Sequence, residues 1–184
     1  MRYLLSTLVI LNLFTVLIIN TKADAISLDI IDKVDIKAIR SINLIKEEHN
    51  YRAAVVVQFI TTATSALKFQ NCDFQLFFRE DEKPEIALGT SQPKEILFPA
   101  SETGQPVLIE KQLEVKVGKN EQATVERLID LFNLIGNPES QFAMIISGTT
   151  EIGIKARRGW IYQGRIELAD FTFYPTIQRE VLFK

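Results

Sequence analysis

A change of hydrophobic period within residues 105–135 limits what this chain can become. From Val107 to Val117 the apolar residues alternate: Val107, Ile109, Leu113, Val115 and Val117 share one face, broken only by Lys111. Glu110, Gln112, Glu114 and Lys116 share the other face, together with Leu108. A period of two marks a strand that buries one side. Beyond it the period lengthens. Val125, Leu128, Ile129 and Phe132 fall at helical spacing, flanked by Leu131 and Ile135, while Glu126, Arg127, Asp130 and Asn133 occupy the opposite arc. This spacing predicts one amphipathic helix over about 124–135, with its Val125/Leu128/Phe132 face turned inward. Asn120 or Thr124 is the expected N-cap, and Gly136 fits the left-handed position that closes a helix, with Pro138 preventing its resumption.

The rest of the chain reads as strands. Val34/Ile36 is a short alternating pattern, like Ile26/Leu28/Ile30 before it, and both suit a sheet edge. Tyr51–Thr62 is apolar on both faces and predicts a central strand. Phe69–Phe78 alternates, with Cys72, Phe74, Leu76 and Phe78 in phase. Arg79–Glu85, charged around Pro84, is a hairpin tip. Ile86–Ser91 returns with Gly89 inside it, a sign of a bulge. Glu95–Phe98 is a short edge segment between prolines. Gln141–Ile152 alternates again, Lys155–Gly159 is a basic turn, and Trp160–Phe173 is the last long strand. In that strand Ile166/Leu168 and Phe171/Phe173 lie out of phase, which predicts a bulge near Ala169-Asp170. Seven or more strands with one helix and short turns is the pattern of an antiparallel β-sandwich.

Residues 1–25 read as an export signal: Arg2 at the start, an apolar run over Leu4–Ile19, and Ala23-Asp24-Ala25 for cleavage. The alternative is an uncleaved N-terminal membrane anchor, for which the run falls short of the ~20 residues that span a bilayer. Residues 26–184 then form a single domain, exported to the periplasm or the outside. The net charge of −2 lacks the basic excess of a nucleic-acid footprint, so no nucleic-acid partner is expected.

Chemistry is sparse. His49 is the one histidine and Cys72 the one cysteine, which together cannot furnish the ligands of a structural zinc site. His49 sits in the polar turn Glu47-Glu48-His49-Asn50, and Cys72 belongs to an apolar face. A nucleophile–base pair would need both in one place. No glycine-rich phosphate loop is present. The expectation is a protein that is not an enzyme and has no cofactor and no metal site. If a contact surface exists, Arg157 and Arg158 of the basic turn with Trp160 and Tyr162 beyond it would face a membrane or ligand, so membrane lipid or an envelope protein is the partner to consider.

Phe74-Gln-Leu-Phe-Phe78, Ile86-Ala-Leu-Gly89, Phe98-Pro-Ala-Ser101, the strand Val107–Val117, the helix Thr124–Ile135 and the strand Phe142–Gly148 follow one another in a telling order. That order resembles the late embryogenesis abundant proteins of the second group, the water stress and hypersensitive response domain. The resemblance implies a fibronectin-type-III-like sandwich with a single helix, an association with desiccation and other stress, and for some relatives with membranes. It carries over no catalytic residues. Two functions are therefore expected: an exported, stress-protective or envelope-associated domain, or a lipid- or apolar-ligand-binding module at a membrane surface.

Overall fold

In the computed structural model, residues 32–80, 83–137, 140–173 and 176–177 are described, with the side chains of 169–172, 176 and 177 left aside. The chain divides into Met1–Lys33 and Val34–Lys184, and every strand and helix named below belongs to the second unit. The expected export signal over 1–25 and the Ile26/Leu28/Ile30 pattern lie outside the described residues.

The fold is mainly β and sandwich-like, with one helix among the described residues. In chain order the strands are β1 (Val34–Lys46), β2 (Asn50–Thr61), β3 (Leu67–Glu80), β4 (Ile86–Ser91), β5 (Glu95–Phe98) and β6 (Val107–Lys119). The helix α1 (Gln122–Gly136) follows, then β7 (Phe142–Ala156), β8 (Gly159–Phe173) and β9 (Thr176–Ile177). All nine join one curled sheet in the order β8-β7-β3-β4-β6-β2-β1-β9, with β5 on β3. Pairing is antiparallel throughout except between β1 and β9.

The sheet turns its corner at β4. This strand pairs with β3 through Phe74↔Ser91 to Phe78↔Ile86, yet meets β6 only at Thr90↔Lys116 and Ser91↔Val115. Gly89 stands at that corner with φ +153, and a Cβ on it would lie 2.1 Å from the Lys116 carbonyl oxygen. The glycine lets two backbones approach where any side chain would hold them apart. The core fills the space between the layers, with Leu76, Phe78, Leu88, Phe98, Leu113 and Ile152 all fully buried.

Sequence and structure agree on β6, where Leu113, Val115 and Val117 are buried and Glu110, Gln112, Glu114 and Lys116 are exposed. They agree on the bulge in β8 as well: Gly148 pairs with Leu168 and Ile146 with Phe171, so an extra residue lies between. β1 is the larger surprise. It runs for 13 residues rather than ending near Ile36, because register shifts between Ile36/Ala38 and Ile39/Ser41 reset the alternation that would have revealed it.

The helix packs beside β4 and β6, but on a rotated face. Thr124, Leu128, Leu131, Leu134 and Ile135 are buried. Ile129 is 52 % exposed, while Val125 and Phe132 are half-buried. The inward Val125/Leu128/Phe132 face is thus corrected by roughly one residue's turn, ~100°, and Leu131 is its centre. The caps differ too. Glu121 is the N-cap and makes no side-chain capping bond, so neither Asn120 nor Thr124 holds that role. Gly136 completes the last turn without left-handed geometry, and the extended C-cap is Asn137, whose amide donates to the Asn133 carbonyl. Arg127 ties the helix to the sheet, donating from Nη2 to the Val117 carbonyl at 2.6 Å.

Candidate functional site

β7 and β8 form a long hairpin, and its pairing decides which side chains share a face. Residues directly opposite one another lie on the same side of a sheet. Across β5, β3, β7 and β8 one row reads Leu97, Lys68, Gly153, Tyr162. The next row in one direction is Glu95, Gln70, Glu151, Arg165. In the other direction Lys155 faces Trp160. The row between those of Lys155 and Gly153, namely Phe98, Leu67, Ile154 and Ile161, points to the other side, where Phe98 and Leu67 are buried, Ile154 is half-buried and Ile161 is exposed at the end of the hairpin. These strands therefore have a packed inner face and an open outer face, the clean division expected of an antiparallel layer.

Two features shape the outer face. Tyr162 is 42 % exposed and its ring lies over Gly153: a Cβ on Gly153 would come within 2.8 Å of Tyr162 Cε1 and 3.4 Å of Trp160 Cε3. The glycine provides a floor on which two aromatic rings can lie low. Lysine ammonium groups accompany the indole, Lys68 Nζ at 4.6 Å and Lys155 Nζ at 5.3 Å from the ring centroid, both within cation–π range. Lys68 also reaches Glu95 at 3.6 Å.

The polar row is ordered. Glu151 Oε2 accepts from Gln70 Nε2 at 2.9 Å and from Asn71 Nδ2 at 3.1 Å. Asn71 is held at φ 52, in the left-handed region that asparagine tolerates better than most residues. It stands where the β3–β7 register shifts between Gln70 and Asp73, so the bulge is what turns its amide toward Glu151. Arg165 donates Nε and Nη2 to Thr149 Oγ1 at 2.9 and 2.6 Å. A second bulge, between the Glu151↔Arg165 and Gly153↔Tyr162 pairs, keeps Arg165 and Tyr162 on the same side although three positions separate them.

Of the residues singled out from sequence, Trp160 and Tyr162 come together on this face. Arg157 and Arg158 form the exposed two-residue turn at its end. Lys68, Leu97, Gln70, Asn71, Glu151, Gly153 and Arg165 were missed. Nothing local marks them, since register between distant strands brings them together. Three surface clefts of about 330–410 Å³ elsewhere are lined mostly by charged and polar residues, such as Glu80, Lys83 and Asp130 in one and Asp73, Ser147 and Glu167 in another.

His49 and Cys72 belong to different parts of the molecule. His49 is exposed in the β1–β2 turn, its carbonyl accepting from the Asn120 amide at 2.9 Å. Cys72 is buried on β3 with its thiol 3.3 Å from Thr150 Oγ1. Strands β4 and β6 lie between β2 and β3, about 14 Å along the sheet at ~4.8 Å per step. Burial pushes the Cys72 thiol pKa up, and the Thr150 bond offsets this only in part. The thiol therefore stays protonated and unreactive near neutral pH. Thiol labelling of the native protein is expected to be slow and to become rapid on unfolding. Rapid native labelling that slows in His49→Ala would instead reveal an activated thiolate.

No family model matches the chain, and no curated protein matches it in sequence. Among solved structures, a protein from Archaeoglobus fulgidus is similar at 6 % identity and a TM-score of 0.32, covering 77 % of this chain and 98 % of that one. The solution structure of an Arabidopsis thaliana protein is similar at 11 % identity and a TM-score of 0.28, covering 78 % of each. Neither likeness carries a functional conclusion.

Proposed function

We propose that this chain is an exported, non-catalytic domain of the late embryogenesis abundant type that works by binding at the cell envelope. Its contact surface is the outer face of β5-β3-β7-β8 with the Arg157-Arg158 turn. The observation behind this reading is the pair Trp160 and Tyr162 lying low over Gly153, flanked by Lys68 and Lys155. Tyr162 stays exposed beside the half-buried Trp160, with the apolar Leu97 in the same row, so the face joins apolar and cationic groups that a partner can cover. The export signal read over residues 1–25 supports the location, and a stress-protective role accompanies the family resemblance. Secreted protein should begin at Ile26 by intact mass and co-sediment with envelope material. Replacing Trp160 and Tyr162 together with alanine should abolish that co-sedimentation while circular dichroism shows the fold retained. Retention of a full-length chain, or undiminished co-sedimentation of the double variant, would overturn the reading.

A second reading is a module that docks on lipid, favoured by the basic turn beside the rings. Tryptophan and tyrosine suit the headgroup level of a bilayer, and each basic residue near an anionic surface adds ~1 kcal/mol. On this reading Arg157→Gln with Arg158→Gln weakens binding to phosphatidylglycerol vesicles roughly thirtyfold.

A further inference from the structure

Resting on the envelope reading, we infer that the outer face of β5-β3-β7-β8 is a binding platform for an acidic polysaccharide, a chain of sugars bearing carboxylates. Three kinds of group stand there in adjacent rows, and each meets a different part of such a ligand. The Tyr162 ring, 42 % exposed, offers flat apolar surface to the C–H face of a sugar, while Trp160 is half-buried with lysine ammonium groups over its indole. The glycine floor at Gly153 lets Tyr162 lie low over the strand, and a Cβ there would meet its ring at 2.8 Å. Lys155 and Lys68 stand beside the indole, placed to meet a carboxylate carried on the stacked sugar. Glu151 is held through Oε2 by the amides of Gln70 and Asn71, and among the described residues this orients Oε1 as an acceptor for hydroxyls. The amide oxygens of Gln70 and Asn71 add further acceptors. The Gly153/Tyr162 row and the polar Glu151 row are about 7 Å apart, two residues at ~3.4 Å each, so a sugar over Tyr162 can reach the polar row, and the Lys155/Trp160 row lies on the other side of Tyr162.

The same rows argue against a flat anionic membrane as the occupant. Glu95 and Glu151 lie in the plane of the lysines. A bilayer laid on this face would press its phosphates against two carboxylates. A polysaccharide offers hydroxyls there instead, for which an ionised carboxylate is a strong acceptor.

Trp160 is the only tryptophan, so its emission reports on this face alone. The exported protein, as secreted, is titrated with a polygalacturonate hexamer, with a neutral glucan hexamer, with polyphosphate and with phosphatidylglycerol vesicles. The expected result is a blue shift with polygalacturonate that weakens as salt rises. Tyr162→Ala, Lys155→Gln and Glu151→Gln should each lower affinity about tenfold or more. Glu151→Gln decides between the readings by sign. Exchanging an ionised acceptor for a neutral amide weakens its hydroxyl bonds and so a glycan complex, whereas a negative charge removed strengthens binding to any plain polyanion. Equal binding of the neutral glucan, or polygalacturonate binding that is tightened by Glu151→Gln, overturns the inference. A response confined to vesicles or polyphosphate overturns it too and leaves the lipid reading standing. No response to any probe, with envelope co-sedimentation intact, overturns the glycan assignment and leaves the envelope reading in place.

Discussion

Replacing Phe98 with alanine is expected to cost ~3–5 kcal/mol of stability, the range for emptying a buried aromatic site. Phe98 is 0 % exposed although its strand, β5, has only four residues and pairs with β3 alone. Its ring meets Phe59 of β2 edge-on at 5.6 Å and 88°, and Phe69 of β3 at 4.9 Å and 59°. Those two partners stand on opposite sides of the corner at β4. One side chain therefore bridges the layers that the hydrogen-bond ladder joins only weakly through Thr90 and Ser91. Aromatic contacts of this geometry add ~0.5–1.5 kcal/mol each beyond the area they bury. Urea unfolding followed by circular dichroism reads the change as a lower midpoint with an unchanged slope. Phe98→Leu, which keeps most of the volume, should lose much less. A loss below ~1 kcal/mol for Phe98→Ala would mean that the layers are held together elsewhere.

How much of this was legible in the sequence depends on where the information is stored. β6 was legible because its burial is one-sided and unbroken from Leu113 to Val117, so the pattern is also the structure. The β8 bulge at Ala169-Asp170 could be read because two in-phase pairs flank it. β1 was underestimated because two bulges within six residues destroy the period. The helix face was misjudged for a subtler reason. Val125, Leu128, Ile129, Leu131, Phe132, Leu134 and Ile135 wrap so much of the helix that hydrophobicity alone does not fix the rotation. Contact with β4 and β6 does, and it leaves Ile129 outside. The N-cap is Glu121 rather than Asn120, whose backbone amide is bonded to the His49 carbonyl in the turn after β6.

The candidate surface was half legible. Trp160 and Tyr162 are two apart, and any strand puts such residues on one side. Gly153 carries no signal of its own in the sequence, and its role as a floor exists only once Tyr162 is placed opposite it. Gln70 and Asn71 lie some 80 positions from Glu151 in the chain. Only the β3–β7 register, with its own bulge, brings them to the same carboxylate.

Gly148→Ala is expected to be among the most damaging single changes, at roughly 4 kcal/mol, built from two penalties that act together. The first is conformational. Gly148 adopts φ +131, a region nearly closed to residues with a Cβ, at a cost of ~1–3 kcal/mol. The second is steric. A Cβ there would lie 1.9 Å from the Asp73 carbonyl oxygen and 3.0 Å from its carbon, and this obstacle is backbone, which no rotamer change removes. Relief requires β7 to move away from β3 next to the bulge that carries Asn71 and buries Cys72, and forcing extra atoms into such packing costs ~1–3 kcal/mol more. Gly104→Ala separates the two penalties, because Gly104 has φ +70 with nothing within 4 Å of its Cβ position. It should lose only a conformational penalty, and the milder one of the ordinary left-handed region. The damage at Gly148 should also be local enough to detect chemically. Opening the β3–β7 ladder exposes Cys72, so Gly148→Ala should speed native thiol labelling where Gly104→Ala does not. Equal losses for the two variants would mean that the close approach of β7 to Asp73 contributes nothing, and the strand would then pass through Gly148 for conformational reasons alone.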